Sequence, residues 1–411
     1  MRCLVPGETT RCFADTARVA TLIIILGGTG CRKDQAIEAP APISIRRQNQ
    51  VAAAQPSVKA EIFSDKVINQ LQQKLNRSIS KELPGVVLAV ATSDGVWMDA
   101  AGWANVEKRT LVQPTDRFRI ASLTKMFVAV VCLQLVEDEQ LDLGDAIADW
   151  LPKDVGDRIS NSKQITIRQL LNHTSGLPDP YSDAFKQAVL ANPTHKWQAK
   201  EVLEYAEGRG AAAPRGSFFY SNANYLLLEL IIEKATGNSL TTEIRQRITE
   251  PLALKDTFME VREPIPGGFV RGYQDWDGDG NPENVTQPLL NDGLGLGDGG
   301  MVSSAPDLIR FMRSLFSNGV LLRSETLEKM MTLVESDKRG GYGLGISYMP
   351  TLWGEAWGHT GKTTGFMSDI LYLPAHDLII VAWTNSGDSQ QGNPSNLIQA
   401  SLRIILNEDG Y

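Results

Sequence analysis

Several things are scarce in this 411-residue chain. It has four cysteines, four histidines and 7% aromatic residues. Cys3, Cys12, Cys31 and Cys132 imply no disulfide framework. Cys132 lies in a continuous apolar stretch and reads as a small core residue. The histidines stand at 173, 195, 359 and 376, without a spacing such as His-Glu-x-x-His. A zinc hydrolase therefore has no support, and no metal or cofactor is expected. Positive charge is also short, with a formal net charge of −8. That disfavours nucleic acid as a partner, because phosphate contacts need a basic face. No apolar run approaches the roughly eighteen residues of a membrane span. There is no internal repeat.

What is present begins with a targeting pattern. Arg11 and Arg18 precede a short apolar core over residues 19–26, then Gly27, Gly28, Thr29 and Gly30 lead to Cys31. This is a signal-peptide layout over 1–30, and it predicts export. Its end resembles the lipobox of bacterial lipoproteins, though Gly28 stands where an aliphatic residue is usual. The resemblance implies Cys31 as first mature residue and as a lipid anchor, in a periplasmic or membrane-tethered location. The other reading is an apolar N-terminal helix that stays on the protein. Residues 31–58 carry Pro40, Pro42, Pro56 and scattered Gln and Arg, as a flexible tether does.

From Glu61 to Glu82, apolar residues recur at three- and four-residue steps, which predicts an amphipathic helix. Strands follow over 86–91 and 96–101, joined by a tight Asp94-Gly95 turn. Helical patterns occupy 126–137, 166–172, 199–207, 224–235 and 307–318. Strand patterns return at 342–349, 355–358, 366–373 and 378–385, before a last helix at 395–406. Strands clustered at both ends predict an α+β fold. Its antiparallel sheet would join N- and C-terminal strands under flanking helices, with a mostly helical domain inserted. The folded body is placed at 59–411, with an α/β part at 59–120 and 300–411 and a helical part at 121–299.

Ser-x-x-Lys occurs three times, as Ser78…Lys81, Ser122…Lys125 and Ser160…Lys163. On a helix, positions i and i+3 share a face about 5–6 Å apart at Cβ, so the amine can reach the hydroxyl. To act as a base the amine must be partly neutral, which requires surroundings that disfavour charge. Ser78 falls near a helix end, where the pattern breaks at Leu83-Pro84-Gly85, and Ser160 falls in a polar loop. Only Ser122 precedes an apolar segment, residues 126–136, of the kind that forms a buried helix. Two readings remain for it: a catalytic pair, or a helix cap beside a lysine paired with an acid.

Two further motifs follow in order. Tyr220-Ser221-Asn222 is the chain's one Tyr-x-Asn, and His359-Thr360-Gly361 its one His-Thr-Gly. With these three motifs the sequence resembles the serine β-lactamase and penicillin-binding protein family, on the branch of class C β-lactamases and D-alanyl-D-alanine carboxypeptidases. The blocks "FRIASLTKMF", "QLLNHTSGLPD", "FFYSNANYLLLELIIEKATG", "GDGGMVSSAPDLIRFMRSL", "GYGLGI" and "GHTGKTTGF" extend the likeness over roughly 60–407. The resemblance implies a β-lactamase/transpeptidase-like fold. It implies Ser122 as acylated nucleophile, Lys125 as its base and Tyr220 as proton carrier. Asn222, His359, Thr360 and Gly361 would contact substrate, and the backbone N–H groups of Ser122 and Lys362 would form the oxyanion hole. The expected substrate is a D-alanyl-D-alanine peptide of peptidoglycan type, or a β-lactam. A carboxylesterase on the same fold and a non-catalytic, membrane-tethered cell-wall binding protein are the alternatives.

A histidine where the class C enzymes carry lysine predicts that carboxylate substrates bind more tightly toward acidic pH. Residues 349–358 contain no arginine to add a second cation, which favours the esterase reading. His173 reads as structural. Asp275, Asp277 and Asp279 match the first half of a calcium loop, but its twelfth position is Thr286 and Pro282 interrupts it, so a polar turn is expected.

Overall fold

The computed structural model describes residues 62–192, 195–275, 278–286, 294–317, 319–335, 340–387 and 393–408. The expected signal segment, Cys31, the tether, Glu61 and Asp277 lie outside the described residues.

The chain opens with α1 (Asp65–Ser78), β1 (Gly85–Thr92), β2 (Gly95–Asn105), β3 (Thr110–Leu111) and β4 (Arg117–Arg119). Helices then dominate: α2 (Thr124–Glu137), α3 (Lys153–Gly156), α4 (Ile167–Leu171), α5 (Asp183–Ala191), α6 (Ala199–Leu203), α7 (Ala223–Thr236) and α8 (Leu240–Ile244). Short strands β5 (Phe258–Met259), β6 (Tyr273–Gln274), β7 (Glu283–Asn284) and β8 (Met301–Ser304) lead to α9 (Ala305–Phe316) and α10 (Ser324–Met330). The rest is β9 (Val334–Glu335), β10 (Gly341–Tyr342), β11 (Ser347–Thr351), β12 (Gly354–Thr363), β13 (Phe366–Leu373), β14 (Leu378–Thr384) and α11 (Pro394–Glu408).

Among the described residues, nine strands form one antiparallel sheet in the order β3-β2-β1-β14-β13-β12-β11-β10-β9. The two chain ends meet at its centre, where Val86 pairs with Thr384. Strand alternation divides the apolar residues of β1 between two cores. Val86, Leu88 and Val90 pack with Val67, Leu71 and Leu75 of α1 and Ile398 and Leu402 of α11. Val87, Ala89 and Ala91 belong to the larger core with α2, α7 and α9. Helix α2 is apolar on every side and is buried at every position but Val136, as the absence of a polar face requires.

Two of the boundaries that differ from the sequence reading bear on the site. The segment 342–349 is divided into β10 and β11, joined across Gly343–Ile346, where Gly345 has φ +81°. The strand expected at 355–358 continues as β12 to Thr363, so the His-Thr-Gly motif lies within a strand. Glycine at 361 weakens the strand signal in sequence, yet here a strand passes close to another backbone.

Candidate active site

Ser122 lies in a single 3-10 turn, Ala121–Leu123, that runs directly into α2. Ala121 before it has φ +47°, a left-handed conformation that costs a residue with a Cβ about 1 kcal/mol or more. Ties on either side hold this turn: the Ile120 N–H donates to Met301 O (3.0 Å), and Ser368 Oγ donates to Ile120 O (2.8 Å). Strand β12 presses on the turn at Gly361, where an added Cβ would collide with Ile120 O and Ser368 Oγ. Strand β11 ends opposite Gly358, so beyond that residue β12 lies beside the nucleophile turn. The two segments expected to supply the oxyanion-hole N–H groups, at Ser122 and Lys362, are therefore neighbours.

Lys125 is fully buried. Its Nζ lies 3.1 Å from Ser122 Oγ, 2.8 Å from Asn222 Oδ1 and 2.5 Å from Asp298 O. The last two atoms can only accept, so they take two amine hydrogens and leave the third direction facing Ser122. The same geometry serves an ammonium donating to Ser122 or a neutral amine whose lone pair accepts from it.

Asn222 ends the Tyr-Ser-Asn turn before α7. Its backbone N–H and Nδ2 both donate to Asp179 Oδ2, at 2.9 and 3.0 Å. Because a carboxylate only accepts, this fixes which way the amide points. Tyr220 faces the same amine: Nζ is 4.9 Å from its ring centroid. Its ring stacks on His173 at 4.2 Å and 28°. His173 is buried with φ +59°, and its Nδ1 accepts the Ser221 N–H at 3.2 Å. Burial and the nearby Lys125 charge hold this imidazole well below its ordinary value, hence neutral. It is structural, as expected, but what it supports is the Tyr-Ser-Asn turn.

His359 overturns one expectation. Its ring is buried on the α2 side of β12. Nδ1 is 2.6 Å from Thr360 O, which can only accept, so Nδ1 carries the proton; Nε2 then accepts from Tyr342 Oη at 2.9 Å. Burial, with help from the Lys125 charge, pushes this histidine down to about 3. A neutral ring at mildly acidic pH runs against the carboxylate-binding cation that the sequence reading placed here. Thr360 and Lys362 are exposed and alternate with His359 and Gly361, so the motif's side chains divide between the two faces of β12.

Sequence reasoning passed over Asp179, Tyr181, Asp298 and Tyr342. Asp298 is buried, and loss of solvent raises its carboxyl to about 7. Asp179 and Asp298 lie within the blocks that carried the family likeness, but their spacing has no chemical signature. In the acidic loop, Asp275 accepts the N–H groups of Gly278 and Gly280, and Asp279 accepts that of Asn281. These are the bonds of a polar turn. Oxygens of Asp275, Asp279 and Glu283 come within 4.8 Å of one another. No helix among the described residues is long and apolar enough to cross a membrane.

The beta-lactamase family model matches residues 64–402, and the chain belongs to that family of serine hydrolases. Penicillin-binding protein 4* of Bacillus subtilis (strain 168) is 30% identical over 342 residues, 79% of this chain and 72% of that protein. Protein flp of Staphylococcus aureus (strain MW2) is 31% identical over 199 residues, which span 47% of this chain and 39% of flp. The crystal structure of D-amino acid amidase from Ochrobactrum anthropi SV3, complexed with L-phenylalanine amide, superimposes with a TM-score of 0.74 at 26% identity. That match covers 84% of this chain and 99% of the amidase. The fold is β-lactamase/transpeptidase-like, α+β with an antiparallel sheet.

Proposed function

We propose that this chain is an exported serine acyl hydrolase that forms an acyl-enzyme at Ser122. Its substrates are D-alanyl-D-alanine peptides, β-lactams or related amides and esters. The observation that carries this reading is Lys125 Nζ, buried and 3.1 Å from Ser122 Oγ, with its other two contacts fixed on pure acceptors.

In this reading the neutral Lys125 amine takes the Ser122 proton as Oγ bonds to the carbonyl carbon. The oxyanion gathers on the Ser122 and Lys362 N–H groups, each such donor contributing about 3 kcal/mol. Tyr220 passes a proton to the leaving nitrogen or oxygen as its bond to carbon breaks. Water then attacks the ester, its proton returns through Tyr220 and Lys125, and Ser122 is released. One Nδ2 hydrogen of Asn222 is engaged by Asp179, which leaves the other for a substrate carbonyl. Cys31, as lipid anchor, would hold the enzyme at the outer side of a membrane.

A second reading, an amidase or carboxylesterase, is favoured by His359. A neutral, buried imidazole offers no charge to a terminal carboxylate, and the D-amino acid amidase likeness points the same way. Intact-mass measurement after incubation with a penicillin separates these readings. A persistent adduct marks a peptidase, rapid turnover a β-lactamase, and ester turnover without adduct the second reading. An adduct that survives in Ser122→Ala would overturn the site.

A further inference from the structure

Neither acceptor of the Lys125 amine holds itself in place, and one short segment holds both. Asn222 could turn its amide over and present Nδ2 to Lys125, replacing attraction with repulsion. Asp179 prevents this, because its Oδ2 already binds both the N–H and the Nδ2 of Asn222. Two residues on, Tyr181 Oη donates to Asp298 Oδ2 at 2.6 Å, and Asp298 is the residue whose carbonyl receives Lys125. The segment is itself fixed. Asp179 Oδ1 accepts the Tyr181 N–H (2.9 Å), Arg209 donates to Asp179 O (2.5 Å), and Ser221 Oγ donates to Pro178 O (3.1 Å). The Tyr181 ring stacks on Phe185 of α5 at 5.2 Å and 8°.

We infer that Asp179 and Tyr181 are positioning residues for acyl transfer, a clamp that fixes the two carbonyl acceptors of Lys125 and thereby aims its third direction at Ser122. This rests on the proposed role of Ser122 and Lys125. Asp179 acts through Asn222, and Tyr181 through Asp298. A polar pair whose only task was to stabilise the loop would have no need to end on those two residues. The titratable groups facing the amine are Tyr220, Tyr225, His173, His359 and the Asp298 carboxyl.

The test uses the purified full chain and a small chromogenic ester such as p-nitrophenyl acetate, too small to depend on substrate contacts of Asn222. Tyr181→Phe keeps the stacking and removes one hydroxyl; Asp179→Ala removes the carboxylate, and Asp179→Asn restores one accepting oxygen. A small misplacement of a catalytic group costs up to about 100-fold. The expectation is therefore a 10- to 100-fold loss of kcat in Tyr181→Phe and Asp179→Ala, with KM within about twofold. Asp179→Asn should recover part of the loss. If Asp179→Ala does not fold, Tyr181→Phe decides alone. Ser122-dependent turnover with kcat within twofold of the parent in Tyr181→Phe overturns the clamp and leaves the proposed function standing. Absence of any Ser122-dependent turnover or adduct in the parent overturns both.

Discussion

The chain spells Ser-x-x-Lys in three places and surrounds each copy differently. At Ser122, the lysine three residues on is fully buried, with its amine on two carbonyl acceptors and 3.1 Å from the Ser122 hydroxyl. At Ser78, the last residue of α1, the hydroxyl donates to Lys74 O and Lys81 is exposed. At Ser160 both serine and lysine are exposed in a turn before α4. Spacing gives the amine its reach. Burial and fixed acceptors decide where it points: at Ser122 the amine is held 3.1 Å from the hydroxyl by two carbonyl acceptors.

The contrast breaks most directly at Lys125. Lys125→Ala removes the proposed base and should lower kcat/KM by about 10³-fold or more on an ester or β-lactam. Circular dichroism and steady-state rates together check this. If turnover survives within tenfold in a folded variant, the buried copy is no more a catalytic pair than the other two.

A second handle is the strand pressed against the reactive copy. Gly361 lets β12 approach the Ser122 turn, and Gly361→Ala places a methyl against Ile120 O and Ser368 Oγ. The turn and strand must separate, so the oxyanion donors lose register with Oγ. The expected loss is about 100-fold in kcat. Unchanged kcat would show that the contact between β12 and the turn does not set the geometry of the site.

How much of this was legible beforehand follows from the range of the interactions involved. Residues 86–91 and 96–101 around Asp94-Gly95 appear as β1 and β2, and 126–137 appears within α2, because period and turn chemistry are local. The candidate trio Ser122, Lys125 and Tyr220 does converge around one amine. What escaped depends on distant approach. Asp298 meets Lys125 across 173 positions and Asp179 meets Asn222 across 43, and no periodicity encodes either contact. The left-handed Ala121 escaped because alanine there has no local cause; the ties at Ile120 impose it. The burial of His359 escaped because a three-residue motif does not reveal which face of a strand is buried.

That burial gives a pH prediction of smaller size. An ordinary histidine titrates near 6.5, and His359 is pushed down to about 3. Its contribution to stability is therefore fully present above about pH 6.5 and is lost as pH falls toward 3, because the unfolded chain takes up the proton first. Melting temperature should decline across this window, and the slope should be shallower in His359→Asn. KM for a carboxylate substrate should show no His359-dependent tightening between pH 8.5 and 5.5. A tightening of that kind, absent in the variant, would restore the charged histidine.

The smallest expected effect belongs to the other two copies. Lys81→Ala and Lys163→Ala remove exposed side chains, and surface changes of this kind usually stay within about 0.5 kcal/mol of stability. Among the described residues, neither lysine makes a hydrogen bond to its serine, and Ser78 Oγ donates to Lys74 O instead. Ester turnover in both variants should match the parent within experimental scatter, measured beside Lys125→Ala on the same substrate. A tenfold loss in either would mean that the motif contributes at a second place, and that burial of the lysine is not what separates the reactive copy from the others.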